Sequence, residues 1–126
     1  MAKRRVIEIP GLSHQAPIPM GAAIGNVVFS SAISGRDPET NALPEEPDRQ
    51  AGVLFQNIRT FMERAGGTTD NIGHMTVYLK EERYRESINK EWLKMFPSEH
   101  DRPARHAIKS EVRGEVLFQI EIIAII

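Results

Sequence analysis

Val116-Leu117-Phe118-Gln119-Ile120-Glu121-Ile122-Ile123-Ala124-Ile125-Ile126 is the stretch that decides the fold. Towards its end it carries apolar residues on both sides of a pleat, the pattern of a strand covered on both faces. Such a strand belongs in the middle of a sheet. The run is too short, and too interrupted by Gln119 and Glu121, to cross a bilayer as a helix.

Working back from this strand, Ala104 to Val112 reads as another strand and Pro97 to Pro103 as a loop. Glu82 to Phe96 sets Tyr84, Ile88, Trp92 and Met95 on one helical face. Asn71 to Lys80 alternates, with Met75, Val77 and Leu79 against His74, Thr76 and Tyr78, which is strand behaviour. Before it, Ala51, Leu54, Ile58, Phe61, Met62 and Ala65 recur at helical spacing, with Asp48 as the expected N-cap and Gly66-Gly67 as the stop. Gly35 to Pro47 is a polar surface excursion. Met20 to Ile24 and Asn26 to Ser31 form a hairpin about Gly25. Gly11 to Pro19 is a loop offering His14 and Gln15 as polar contacts, and Arg4 to Ile9 is an edge strand.

This order predicts one α+β domain over residues 1–126, a mixed six-stranded sheet with two helices on one face, because crossovers between parallel strands share one hand. The other face keeps its Ile and Val residues and predicts an oligomer.

Composition narrows the chemistry. The chain has 126 residues, long enough for a core without metal or disulfides. Its 16 Lys and Arg balance 17 Asp and Glu, so no global charge recruits nucleic acid or membrane. The absence of Cys removes a thiol nucleophile and a zinc-thiolate site, and suits the cytoplasm. Met1 to Arg5 is basic, but no long apolar run follows, so no secretory signal is expected. There is no phosphate loop, no His-Glu-x-x-His and no Gly-x-Ser-x-Gly, and His14, His74, His100 and His106 lack ligand spacing. No metal or cofactor is expected.

Four matches stand in order: Gly25-Asn26-Val27-Val28-Phe29-Ser30-Ser31 with Asp37-Pro38 beyond, Gln56-Asn57-Ile58, Asn89 before Phe96, and Arg102-Pro103-Ala104-Arg105. With Ile120-Glu121-Ile122-Ile123-Ala124 they cover nearly the whole chain, which resembles the RidA/YjgF family of small proteins that hydrolyse reactive imino acids. The resemblance implies a chorismate mutase-like fold and a homotrimer whose sheets pack into a barrel, with sites in the clefts between subunits.

It also implies roles. Arg105 would clamp a substrate carboxylate, a task suited to a planar guanidinium; the competing reading is an arginine paired with a neighbouring subunit's acid. Arg102 reads as a solvated loop charge. Gln119 occupies the position of the glutamate that activates water in active members, and an amide can orient water but cannot take its proton. Glu121 shares the face of Gln119 about 7 Å deeper, as a second catalytic candidate or a structural acid. Ile18 stands where an aromatic hydroxyl commonly lines the pocket. Ser31, Ala32 and Ile33 would supply backbone groups to substrate, and Asn89 would order a loop beside it. Ala107 replaces a common cysteine, His106 points across the pleat from Arg105, and Trp92 and Phe96 read as core.

The resulting expectation is hydrolysis of an enamine or imine of a small carboxylic acid, releasing ammonia. The alternative is a non-catalytic protein of the same fold that binds or senses such a metabolite. A ribonuclease or translation inhibitor ranks third, because no basic and aromatic stripe is present.

Overall fold

The computed structural model describes residues 3–126. The strands are β1 (Arg5–Ile7), β2 (Gly21–Ile24), β3 (Val27–Ser30), β4 (Ile33–Ser34), β5 (Ile72–Leu79), β6 (Ala104–Lys109) and β7 (Phe118–Ile125). The helices are α1 (Pro47–Ala65) and α2 (Arg85–Met95). The strand order is β1-β2-β3-β7-β5-β6, with β4 also paired to β7, so the expected six positions carry seven strands. All neighbours are antiparallel except β5 and β6, which α2 connects.

The seventh strand arises from one extra residue. Phe29 pairs with Ile123, but Ile33 pairs with Ile120, so four steps on one strand oppose three on the other. This is a β-bulge at Ser30 to Ala32, a device that re-aims side chains where a ladder is broken. The Ser30 hydroxyl accepts a hydrogen bond from Ile122 N at 2.8 Å and satisfies a donor within the break.

One core fills the space between sheet and helices. All six helical positions read from spacing, Ala51, Leu54, Ile58, Phe61, Met62 and Ala65, are fully buried, facing Phe118, Ile120, Ile122 and Ala124 of β7. Truncating a side chain such as Phe61 to Ala would cost about 3–5 kcal/mol. The fit is close at Gly21, where a Cβ would stand 2.3 Å from the Phe61 ring.

The start of α1 differs from expectation. Pro47 opens the helix after Glu46, and no side chain caps it. Proline fits there because its missing N–H would have had no partner in the helix. Asp48, expected to cap, lies one residue inside and accepts from Ser87 Oγ at 2.6 Å and Lys90 Nζ at 2.8 Å, tying α1 to α2. Those bonds, Lys90's first, hold its carboxyl below the usual range. Gly66 ends the helix as expected, at φ 94°, a left-handed conformation that suits glycine.

Two polar side chains of α1 do structural work that helical spacing did not reveal. Asn57 is buried and donates to the carbonyls of Ser34 and Arg36, each at 2.9 Å. Gln50, equally buried, donates to Pro44 O at 2.8 Å and accepts from Leu117 N at 2.9 Å. Together they fasten the excursion after β4 and the loop before β7.

β7 is central, but its second face is open in the single chain. Val6, Ala22, Phe29 and Ile123 form one row across β1, β2, β3 and β7, and Ile24, Val27 and Ile125 form the next. Phe29 and Ile123 are each 42% exposed and Ile125 is 50% exposed. No helix among the described residues is long and apolar enough to cross a membrane.

Candidate functional site

The residues singled out in the sequence fall into two groups on opposite faces of the sheet. Arg105 lies opposite Met75, and Met75 opposite Ile122, so its side chain leaves β6 on the helix-covered face. Gln119 lies opposite Tyr78 and Glu121 opposite Thr76, on the open face. His106 also pairs with Thr76, so it points away from Arg105 as expected.

Two side chains of α2 hold Arg105 in place. Its Nη2 donates to Asn89 Oδ1 at 2.8 Å, and its Cζ stands 4.8 Å from the centre of the Trp92 ring. Asn89 therefore orients the arginine; the loop-ordering role expected of it is not what its side chain does. Trp92 is core, as read, and also a platform for the cation. Nη1 is buried with no hydrogen-bond partner among the described residues, and none of the ion pairs involves Arg105. Burial first, then the charge of Arg85, lowers its pKa, yet a guanidinium remains charged near neutrality. A half-buried cation with an open donor is favourable ground for an anion.

Arg102 is not the free loop charge expected. Its Nε donates to Phe96 O at 2.9 Å, satisfying a carbonyl at the end of α2 and fixing the entry to β6.

On the open face, a cleft of about 470 Å³ is lined by His14, Ile18, Ser31, Ala32, Val112, Val116, Gln119 and Glu121, with Glu111 and Arg113 at its rim. Five of the candidate site residues thus meet in one cavity, Ile18, Ser31, Ala32, Gln119 and Glu121, together with His14, named as a polar contact on its loop. The bulge brings Ser31 and Ala32 there. Ser31 is held by N–H to Met20 O and Oγ to Pro19 O, both at 2.8 Å. Ile33, by contrast, is fully buried in the core and its backbone pairs with Ile120, so it does not line the cleft.

Tyr78, which carries no role in the sequence pattern, bears directly on Glu121. Its hydroxyl donates to Glu121 Oε1 at 2.7 Å. That bond, with burial and the carboxylate's charge, raises the Tyr78 pKa and keeps the phenol protonated. The alternation of β5 already set Tyr78 on this face; only strand pairing shows that it reaches Glu121. Val112 and Val116, read from the sequence as the end of one strand and the start of the next, lie instead in the loop between β6 and β7, where pleat alternation does not set the direction of a side chain. Among the described residues, no group of three or more His, Asp or Glu side chains is gathered that could hold a metal ion.

Fold and cleft together define a class: small α+β proteins with one helix-covered sheet, an open apolar face, and a cleft at a bulge beside the central strand. The chain belongs to the Endoribonuclease L-PSP family, whose model matches residues 15–126, and its structural neighbours include RidA and YjgF proteins. It is 29% identical over 119 residues to a RutC family protein of Pyrococcus abyssi, covering 89% of this chain and 92% of that one. RidA from an Antarctic Psychrobacter superposes with a TM-score of 0.89 at 27% identity, covering 97% and 99% of the two chains. E. coli TdcF, solved with bound serine, superposes with a TM-score of 0.86 at 26% identity, covering 96% and 98%.

Proposed function

We propose that this protein hydrolyses an imine or enamine of a small carboxylic acid, releasing ammonia, at sites completed between identical subunits. The observation that carries the reading is Arg105: a half-buried guanidinium, aligned by Asn89 and Trp92, with Nη1 buried and unpartnered. A bidentate carboxylate is the ligand such a fork fits best. A relative solved with serine, itself a small carboxylate, supports the same ligand class.

Arg105 and the Gln119 cleft lie on opposite faces of one sheet, so a small molecule cannot touch both within a single chain. Completing the site therefore takes Arg105 from a second copy, and the exposed apolar rows at Phe29 and Ile123 supply the reason for copies to pack. The homotrimer is the assembly we propose, in the cytoplasm. Arg105 then holds the acid group, the backbone at Ser31 and Ala32 faces the other end, and Gln119 orders the attacking water. Ile18, Val112 and Val116 make the cleft suited to an aliphatic side chain.

Gln119 favours one competing reading, a protein that binds the carboxylate without turning it over. Freshly generated 2-iminobutyrate separates the two. The native protein should release ammonia, and Arg105→Ala should lose roughly 100-fold or more in kcat/KM, the scale expected when a buried charge partner is removed. Tight, unreactive 2-oxobutyrate binding would favour the binding protein. Salt-sensitive RNA cleavage that survives Arg105→Ala would sink both.

A further inference from the structure

His14 sits on the loop between β1 and β2, and its Nε2 is buried with no hydrogen-bond partner among the described residues. The loop is fastened near both ends: Leu12 N donates to Ile9 O at 3.0 Å, Met20 N to Glu8 Oε1 at 3.0 Å, and Ser31 Oγ to Pro19 O at 2.8 Å. The imidazole is therefore presented from an anchored segment. Buried polar atoms are almost always paired, so a ring nitrogen left unpaired on a residue that lines the cleft marks an unmet hydrogen-bonding need at this site.

We propose that His14 is the proton-transfer residue of this cleft, serving the nitrogen of a bound imine where Gln119 cannot. This rests on the deaminase reading above.

The other titratable groups facing the cleft are Glu121, Glu111 and Arg113. Glu121, from β7, has Oε1 engaged by the Tyr78 hydroxyl from β5. Glu111 and Arg113, from the loop before β7, are exposed at the rim. Gln119 does not titrate. An imidazole both gives and takes a proton around neutrality, as a reaction with two opposite proton transfers requires.

The sequence of steps balances. The His14 imidazolium gives its proton to the imine nitrogen. Water ordered by Gln119 adds to the imine carbon: the C–O bond forms, the π pair moves to nitrogen, and the water's surplus proton goes to the imidazole. The imidazolium then protonates the amino group. The C–N bond breaks with its electron pair on the departing ammonia, the C=O bond forms, and the hydroxyl proton returns to His14. One imine and one water become one oxo acid and one ammonia, with His14 as it began.

The test compares native protein, His14→Gln and His14→Ala on 2-iminobutyrate across pH, with 2-oxobutyrate binding and thermal melts alongside. His14→Gln should lower kcat about 100-fold while keeping 2-oxobutyrate affinity, and should flatten one limb of the pH profile. Added imidazole should restore part of the His14→Ala rate, which a purely structural role would not allow. If the native protein hydrolyses the imine and His14→Gln matches it in kcat and pH profile, this inference fails and the deaminase reading stands. If the native protein releases no ammonia, both fall together.

Discussion

The two half-sites are built in opposite ways. The Arg105 side rests on regular elements: a strand carries the charge and Asn89 and Trp92 of α2 hold it in place. The cleft side is assembled from loops and a bulge, with Gln119, Glu121, His14 and Ile18 arriving from separate segments. In the proposed function the first supplies affinity for a charge and the second shapes what happens beside it. On that proposal neither is a complete site by itself, which is why the open sheet face matters to both.

The most severe way to break this pairing is to keep copies apart. Ile123→Lys puts a charge in the exposed apolar row and should yield monomers by sedimentation, with imine hydrolysis abolished and the melt still cooperative. A monomeric variant with native turnover would refute the idea that both halves come from two chains.

Gln119→Glu sharpens the cleft half alone. It supplies a base where the amide only orients water, and should raise imine hydrolysis about tenfold or more without altering 2-oxobutyrate affinity. No rise would count against the account of Gln119.

Asn57→Ala acts on the scaffold behind the bulge. Losing two buried hydrogen bonds should cost about 1–3 kcal/mol, read as a lower urea midpoint at unchanged slope. Because Asn57 touches neither half-site, ligand affinity in the folded protein should hold.

The smallest effect is expected at Tyr78→Phe, about 1 kcal/mol. The folded pKa of Tyr78 is raised above the ordinary 10.0, so its contribution is present below that value and is lost as pH rises through the folded pKa. The stability difference between native protein and Tyr78→Phe should therefore shrink at alkaline pH. A gap that widened there would contradict the Tyr78 to Glu121 bond.

Much of this was legible along the chain. Spacing named six buried apolar residues of α1 but not Phe55, strand spacing put Gln119 and Glu121 on one face, and the Pro-Ala-Arg stretch marked Arg105 through the family resemblance. Polar contacts were less legible. Asp48 looked like a cap and is a tie between helices, Arg102 looked free and holds the end of α2, and Asn89 orients Arg105.

Local periodicity and turn chemistry, which act over a few residues, determined the elements, the buried stripe and the presence of an unpaired apolar face. Partners far apart in sequence were decided only in three dimensions. The extra residue between β3 and β4 shifts register by one and turns Ser31 and Ala32 to the cleft while Ile33 goes to the core. The union of Tyr78 with Glu121, of Arg105 with Asn89, and of His14 with Gln119 in one cavity depends on strand order and loop closure. No window of sequence contains those contacts, because each is made by chain segments that meet only after the sheet has formed.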